Sequence, residues 1–230
     1  MEISRKLEPP KKGFSVFEFE GRLLRAHSIM HKYKLDALFL TMPANIRYFT
    51  GFDTQFFHSP TRPWFLVIPY NKKPIAVIPE IGKTLMEMTW VEDIRTWDSP
   101  NPNDDGISLL FSVFKDLKIN SVGAELGMEM SLRMPWIDFN KILEKQKQTF
   151  LDATQAIWEI RTVKTKAEIN HINFICKAVS SCYYSLPKII NLGETERQVS
   201  EKLKKSIIDS GADSIPVSYT HLTLPTNDRV

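Results

Sequence analysis

The sequence predicts an α/β domain, a mixed sheet flanked by helices, followed by a purely helical segment. Short apolar runs alternate with amphipathic helical stretches throughout residues 19–152, the pattern of strands covered by helices. Trp64–Ile68 and Pro74–Ile78 are separated only by Pro69-Tyr-Asn-Lys-Lys, which reads as a hairpin. Beyond residue 164 the apolar spacing is helical only.

Taken in order, Phe19, Leu23, Ala26, Met30 and Tyr33 recur at alternating steps of four and three, one face of a helix. Asp36–Met42 reads as a buried strand, and Asn45–Asp53 as a short turn reached through Pro43. The hairpin follows. Ile81, Leu85 and Met88 suggest a helix, and Asp93–Trp97 a strand. Asn103–Leu117 opens with acidic residues, which favour a helix N-terminus, and continues with Ile107, Phe111, Phe114 and Leu117. Ser121–Leu126 is a strand. Ser131 is expected to cap a helix with Leu132, Trp136, Phe139 and Leu143 inward, and Thr149–Asp152 is a last short strand. Thr165-Lys-Ala-Glu168 is a capping box before a stripe of Ile169, Ile172, Cys176, Val179, Tyr183 and Leu186. Thr195-Glu-Arg-Gln198 is a second one, before Val199, Leu203 and Ile207, with Gly211 as the stop. Two helices, each with one apolar face, cannot build a core alone. They pack on the first domain or begin another.

Composition narrows the function classes. With 43% hydrophobic and 25% charged residues in 230, the chain can fill a core. A net charge of +3, with its charges interspersed, lacks the basic face of a nucleic-acid binder. The one basic cluster, Arg5-Lys6 with Lys11-Lys12 around Pro9-Pro10, reads as a solvated N-terminal arm over 1–18. No apolar run approaches the roughly 20 residues of a membrane helix, and the first residues lack the apolar core of a secretory signal. Cys176 and Cys182 lie six apart in a helical stretch, a spacing suited to neither a disulfide nor a zinc site, so a reducing, cytoplasmic location is the default. Gly-rich phosphate loops and Gly-x-Ser-x-Gly are absent from the sequence, which leaves kinase and serine-hydrolase readings without support.

Among polar residues, His27 and His31 share a helix face but lack an intervening Glu and a third ligand, and read as solvated. Arg47 is expected to bond loop carbonyls and Tyr48 to pack. Asp104-Asp105 serves a helix N-terminus, and Glu125/Glu129 flanks a turn at Gly127. The five tryptophans, Trp64, Trp90, Trp97, Trp136 and Trp158, are expected in the core and at the domain junction.

Two segments point further. Asn45-Ile-Arg-Tyr-Phe-Thr-Gly-Phe-Asp53 resembles the strand-turn segment in the N-terminal domain of the creatinase/prolidase/aminopeptidase P family. Glu159-Ile-Arg-Thr-Val-Lys-Thr-Lys-Ala-Glu-Ile169 resembles that family's junction with its pita-bread metallohydrolase domain, and Gly193–Gln198 fits the start of the next helix. The resemblance covers about residues 19–216. It implies a creatinase N-terminal-type domain over 19–154 and the first two helices of a truncated pita-bread α+β domain over 155–217. It also implies two divalent metal ions (Mn, Co or Zn) held by two Asp, a His and two Glu, and hydrolysis before proline. None of those ligands can be placed here, so the chain alone is expected to be inactive and metal-free.

A homodimer with a peptide or small-molecule substrate is implied as well. In such dimers, loops of the N-terminal domain can reach the partner's active site. His58 and Arg62 lie in the aromatic, proline-containing loop Asp53–Pro63, so Arg62 is a candidate for binding a substrate carboxylate through its planar fork. The alternative is a surface Arg on a packed loop. Also open are creatinase-like or lyase chemistry, and a non-catalytic binding module. Residues 218–230, Ser-Tyr-Thr-His-Leu-Thr-Leu-Pro-Thr-Asn-Asp-Arg-Val, depart from the family. They look like a translated sequencing adapter, a non-native tail; the alternative is a natural disordered tail.

Overall fold

The computed structural model describes residues 8–59, 62–145 and 148–215. The readings of Arg5-Lys6 and of the tail 218–230 lie outside the described residues. The chain divides into two compact units. One is Gly13–Val163, and the other joins the chain before Gly13 to that after Val163.

In the first unit the order is α1 (Val16–Tyr33), β1 (Ala37–Leu40), α2 (Pro43–Thr50), a 3-10 turn (Gln55–His58), β2 (Phe65–Pro69) and β3 (Ile75–Pro79). There follow α3 (Lys83–Glu87), β4 (Asp93–Trp97), α4 (Ile107–Asp116), β5 (Ser121–Ala124), α5 (Trp136–Lys145), β6 (Thr149–Asp152) and α6 (Thr154–Thr162). The sheet is mixed, in the order β4-β3-β2-β1-β5-β6. The hairpin β2–β3 is antiparallel, with Leu66 opposite Ala76, and β2 pairs antiparallel with β1. The pairs β1–β5, β5–β6 and β3–β4 are parallel.

Successive strand residues face opposite sides, and β1, β2 and β3 are buried at every position. Leu38, Leu40, Leu66 and Ile78 pack with Leu23, Met30, Phe49 and Ile157 on one side. Phe39, Phe65, Val67 and Val77 pack with Leu110, Phe114, Phe139 and Ile142 on the other. Two helical layers thus enclose the sheet.

Several sequence expectations are corrected. The segment through Asn45 is a helix, not a turn. Pro43 occupies a first-turn position whose N–H has no helical partner, and Gly51 ends the helix at φ 75°. A Cβ on Gly51 would come within 2.8 Å of the Phe19 ring. Helix α3 is only five residues long; Met86 is its buried residue, while Ile81, Leu85 and Met88 are exposed. Ser131 does not cap α5, which begins at Trp136; the Pro135 carbonyl accepts from the Asp138 and Phe139 N–H groups at 3.0 and 3.1 Å and so starts the helix. Phe139 and Ile142 form its inner face, and Trp136 is 70% exposed. Helix α4 starts at Ile107, after Gly106 at φ 85°. Asp104 still serves its first turn by accepting from the Ser108 N–H at 3.1 Å.

The second unit contains α7 (Lys166–Ile189) and α8 (Glu196–Asp209). Both open with the expected capping boxes, at Thr165–Glu168 and Thr195–Gln198. Cys182 and Ser210 meet at 3.2 Å, and Lys202 donates to the Ile189 carbonyl at 2.8 Å. Of the expected α7 stripe, Ile169, Ile172, Cys176 and Tyr183 are exposed; Ala178 and Cys182 are its buried residues. A pair of helices buries only its shared seam.

Candidate functional site

The parallel strands β1 and β5 end side by side, and their ends carry a buried polar cluster. Glu125, directly after β5, is 1% exposed. Its Oε2 accepts from the Thr41 N–H at 2.7 Å, the Thr41 hydroxyl at 2.9 Å and the Met42 N–H at 2.9 Å. Its Oε1 accepts from Asn45 Nδ2 at 2.5 Å. Met42 is the N-cap of α2 and offers no capping side chain, so Glu125 supplies, from another strand, the carboxylate favoured at a helix N-terminus. Burial pushes the Glu125 carboxyl above the ordinary carboxylate range, and the bonds from Asn45, Thr41 and Met42 pull against that shift.

The cluster extends in two directions. Arg161 on α6 donates to Asn45 Oδ1 at 2.5 Å. The two segments that resemble the family therefore meet directly, 116 residues apart in sequence. In the other direction, the Arg133 N–H donates to the Thr41 hydroxyl at 2.9 Å. The Arg133 guanidinium then donates to the carbonyls of Phe57 and Ser59, each at 2.9 Å.

This second arm fixes the turn that carries His58. Phe57 is buried against Phe52 and Trp64, and Thr54 caps the turn by accepting from the Phe56 N–H at 3.3 Å. Anchored before and after, His58 is exposed, and Arg62 beyond it is half-buried. The structure thus places both predicted residues on one loop whose first part is pinned by Arg133.

Helix α1 holds the base of the site. Arg22 is 2% exposed; it donates to the Tyr48 carbonyl at 2.6 Å and lies 4.4 Å from the centroid of the Tyr48 ring. It thereby satisfies a carbonyl of the last turn of α2. Lys32 and Tyr33 both donate to Glu159 on α6; these bonds hold the Glu159 carboxyl below its ordinary value.

The other sequence candidates lie elsewhere. Arg47 pairs with Asp53 rather than with loop carbonyls. Tyr48 is buried and packs, as expected. His27 is not solvated: it is half-buried, and its ring lies 6.0 Å from that of Tyr70. Burial lowers its pKa below the ordinary value. Trp64 and Trp97 are core residues, but Trp136 and Trp158 are exposed. Glu125, Asn45, Arg133, Arg161 and Arg22 were missed as a group. The one legible hint was a carboxylate directly after a buried strand.

Met130, Leu132, Met134, Trp136 and Phe139, with Glu125, line an open hollow of about 260 Å³. It is smaller than typical ligand pockets, about 300–1,000 Å³, and apolar. Among the described residues no three His, Cys, Asp or Glu converge to hold a metal ion. What they provide chemically is positioning: a rigid cluster at the C-terminal edge of parallel strands and a pinned loop with an exposed imidazole. No described helix is long and apolar enough to cross a membrane.

The domain is a mixed six-stranded sheet covered by helices on both faces. The chain belongs to the creatinase/prolidase N-terminal domain family, which it matches over residues 22–163. An uncharacterized peptidase of Staphylococcus epidermidis is 23% identical over 189 residues, covering 81% of this chain and 49% of that protein. A prolidase from Thermococcus sibiricus superposes with a TM-score of 0.73 at 18% identity, over 89% of this chain and 53% of that one. The Xaa-Pro dipeptidase from Bacillus anthracis does so with a TM-score of 0.68 at 17% identity, over 85% and 50%. The chain spans about half the length of these relatives.

Proposed function

We propose that this chain supplies the N-terminal, site-covering domain of a cytoplasmic, homodimeric hydrolase that cleaves the peptide bond before proline and requires two divalent metal ions. The family match over residues 22–163 carries this reading. The structural relatives include prolidases and an Xaa-Pro dipeptidase, which supports the substrate class. In this reading the described residues contribute binding and orientation, and the metal ions would supply the Lewis-acid chemistry.

In this reading Arg62 binds the substrate carboxylate in the partner subunit's site, and His58 borders it. Arg62 is half-buried and follows a turn held by Arg133, and its planar guanidinium matches a carboxylate in a two-bond geometry. The test is hydrolysis of Xaa-Pro dipeptides by the intact parent protein with added manganese, with and without a chelator. Metal-dependent cleavage of Xaa-Pro and not of Xaa-Ala supports the proposal. Equal cleavage of both overturns the proline specificity.

A further inference from the structure

The hydrogen bonds around Glu125 form one unbroken path between α6, which runs into the family junction, and the turn that carries His58. Arg161 on α6 reaches Asn45 at 2.5 Å, and Asn45 reaches Glu125 at 2.5 Å. The Thr41 hydroxyl donates to Glu125 at 2.9 Å and accepts from the Arg133 N–H at 2.9 Å. Arg133 ends the path on the Phe57 and Ser59 carbonyls. At both inner links one side chain acts as donor and acceptor together. Asn45 takes Arg161 on its oxygen and gives its amide to Glu125; Thr41 does the same with one hydroxyl. Displacing either end therefore removes a bond that orients the next group.

We propose that Glu125 is a positioning residue that couples α6 to the His58 turn, so that the turn keeps its place only while the path Arg161–Asn45–Glu125–Thr41–Arg133 is closed. Glu125 suits this role because a carboxylate is acceptor-only and can take all four donors at once. Thr41, Asn45 and Glu125 are buried, so water cannot readily replace a broken bond, and the path opens as a unit. The significance of the turn for substrate binding rests on the function proposed above; the coupling itself does not.

The turn contains its own reporters. The Phe57 N–H bonds to the Thr54 carbonyl and the Ser59 N–H to the Phe56 carbonyl, each at 3.1 Å. Their hydrogen exchange in the 230-residue chain reads the opening of the turn without any activity assay. Arg161→Met removes the donor at the far end without touching the turn, and Thr41→Val breaks the middle. Both are expected to speed exchange at Phe57 and Ser59 by about ten-fold or more, with the amides of the β2–β3 hairpin unchanged. Thr41→Ser, which keeps the hydroxyl, is expected to exchange at the wild-type rate.

Acceleration confined to α2 and α6 would overturn the coupling, and so would a uniform rise across the hairpin. Arg161 is half-exposed, so Arg161→Met is expected to fold and decides the matter even where Thr41→Val does not. A negative result leaves the peptidase proposal standing, and a failed peptidase assay leaves the coupling standing.

Discussion

Replacing Asn45 with Leu removes the bridge between Arg161 and Glu125 while keeping the branched shape and the number of side-chain heavy atoms. Asn45 is fully buried. The variant loses one bond from a guanidinium and one to a carboxylate, at 2.5 Å each. Hydrogen bonds to charged groups contribute about 1.5–3 kcal/mol apiece. Arg161 is half-exposed and can turn to water, so the lower end applies and the expected loss is about 3 kcal/mol. For a chain of this size each kcal/mol shifts the Tm by about 2–4 °C, which gives a drop of roughly 6–12 °C.

Thermal unfolding followed by circular dichroism measures this shift. Asn45→Asp adds a signature. It sets a second carboxylate between Arg161 and Glu125; the guanidinium offsets one negative charge, but two facing carboxylates in a buried site where the Glu125 carboxyl is already raised retain one shared proton when folded. A folded pKa raised above the unfolded one gives stability that is present at low pH and lost as the pH rises through the folded value. Asn45→Asp is therefore expected to gain stability relative to Asn45→Leu as the solution is acidified. A loss under about 1 kcal/mol for Asn45→Leu, together with a flat pH difference between the two variants, would refute the reasoning.

Gly123→Ala is expected to cost about 1–3 kcal/mol by overpacking, because its Cβ would lie 2.7 Å from Leu35 Cδ1 and 2.9 Å from the Ala153 Cβ; chemical denaturation reads it, and a neutral result would contradict the packing. His27 is held neutral by burial, with its pKa depressed below 6.5, so it contributes stability that is present above its unfolded pKa and lost as the pH falls through the folded one. The Tm of the wild type should accordingly fall more steeply below about pH 6.5 than that of His27→Leu. Arg62→Ala in the intact parent protein is expected to raise KM with kcat nearly unchanged; unchanged kinetics would remove Arg62 from the site.

The layering of the domain was legible because it rests on local periodicity. Ala37–Leu40 and the hairpin strands declare their burial by unbroken apolar runs, and both capping boxes lie within four residues. Helix α2 carried its signals as well, Pro43 at its start and Gly51 at its end. They went unread because eight residues are too few to establish a helical period. The polar cluster was not legible for a different reason: Glu125 lies 80 residues from Asn45, and Arg161 lies 116 away. Only the side-by-side ends of β1 and β5 make one site of them. Arg22 was hidden because a buried Arg within a helix looks like a surface residue until the Tyr48 carbonyl and ring are placed beside it. Trp136 misled in the opposite sense, since its size suggests core but its place at the start of α5 leaves it 70% exposed.

The central claim, that this chain is the covering domain of a proline-directed metallopeptidase, is tested most directly by one measurement on the intact parent protein. Its rate of Xaa-Pro dipeptide hydrolysis is followed as manganese is added to metal-stripped enzyme. Activity that is absent without metal and saturates near two ions per subunit is the result expected for a dinuclear site. A folded parent protein that leaves Xaa-Pro substrates intact at every metal concentration would contradict it.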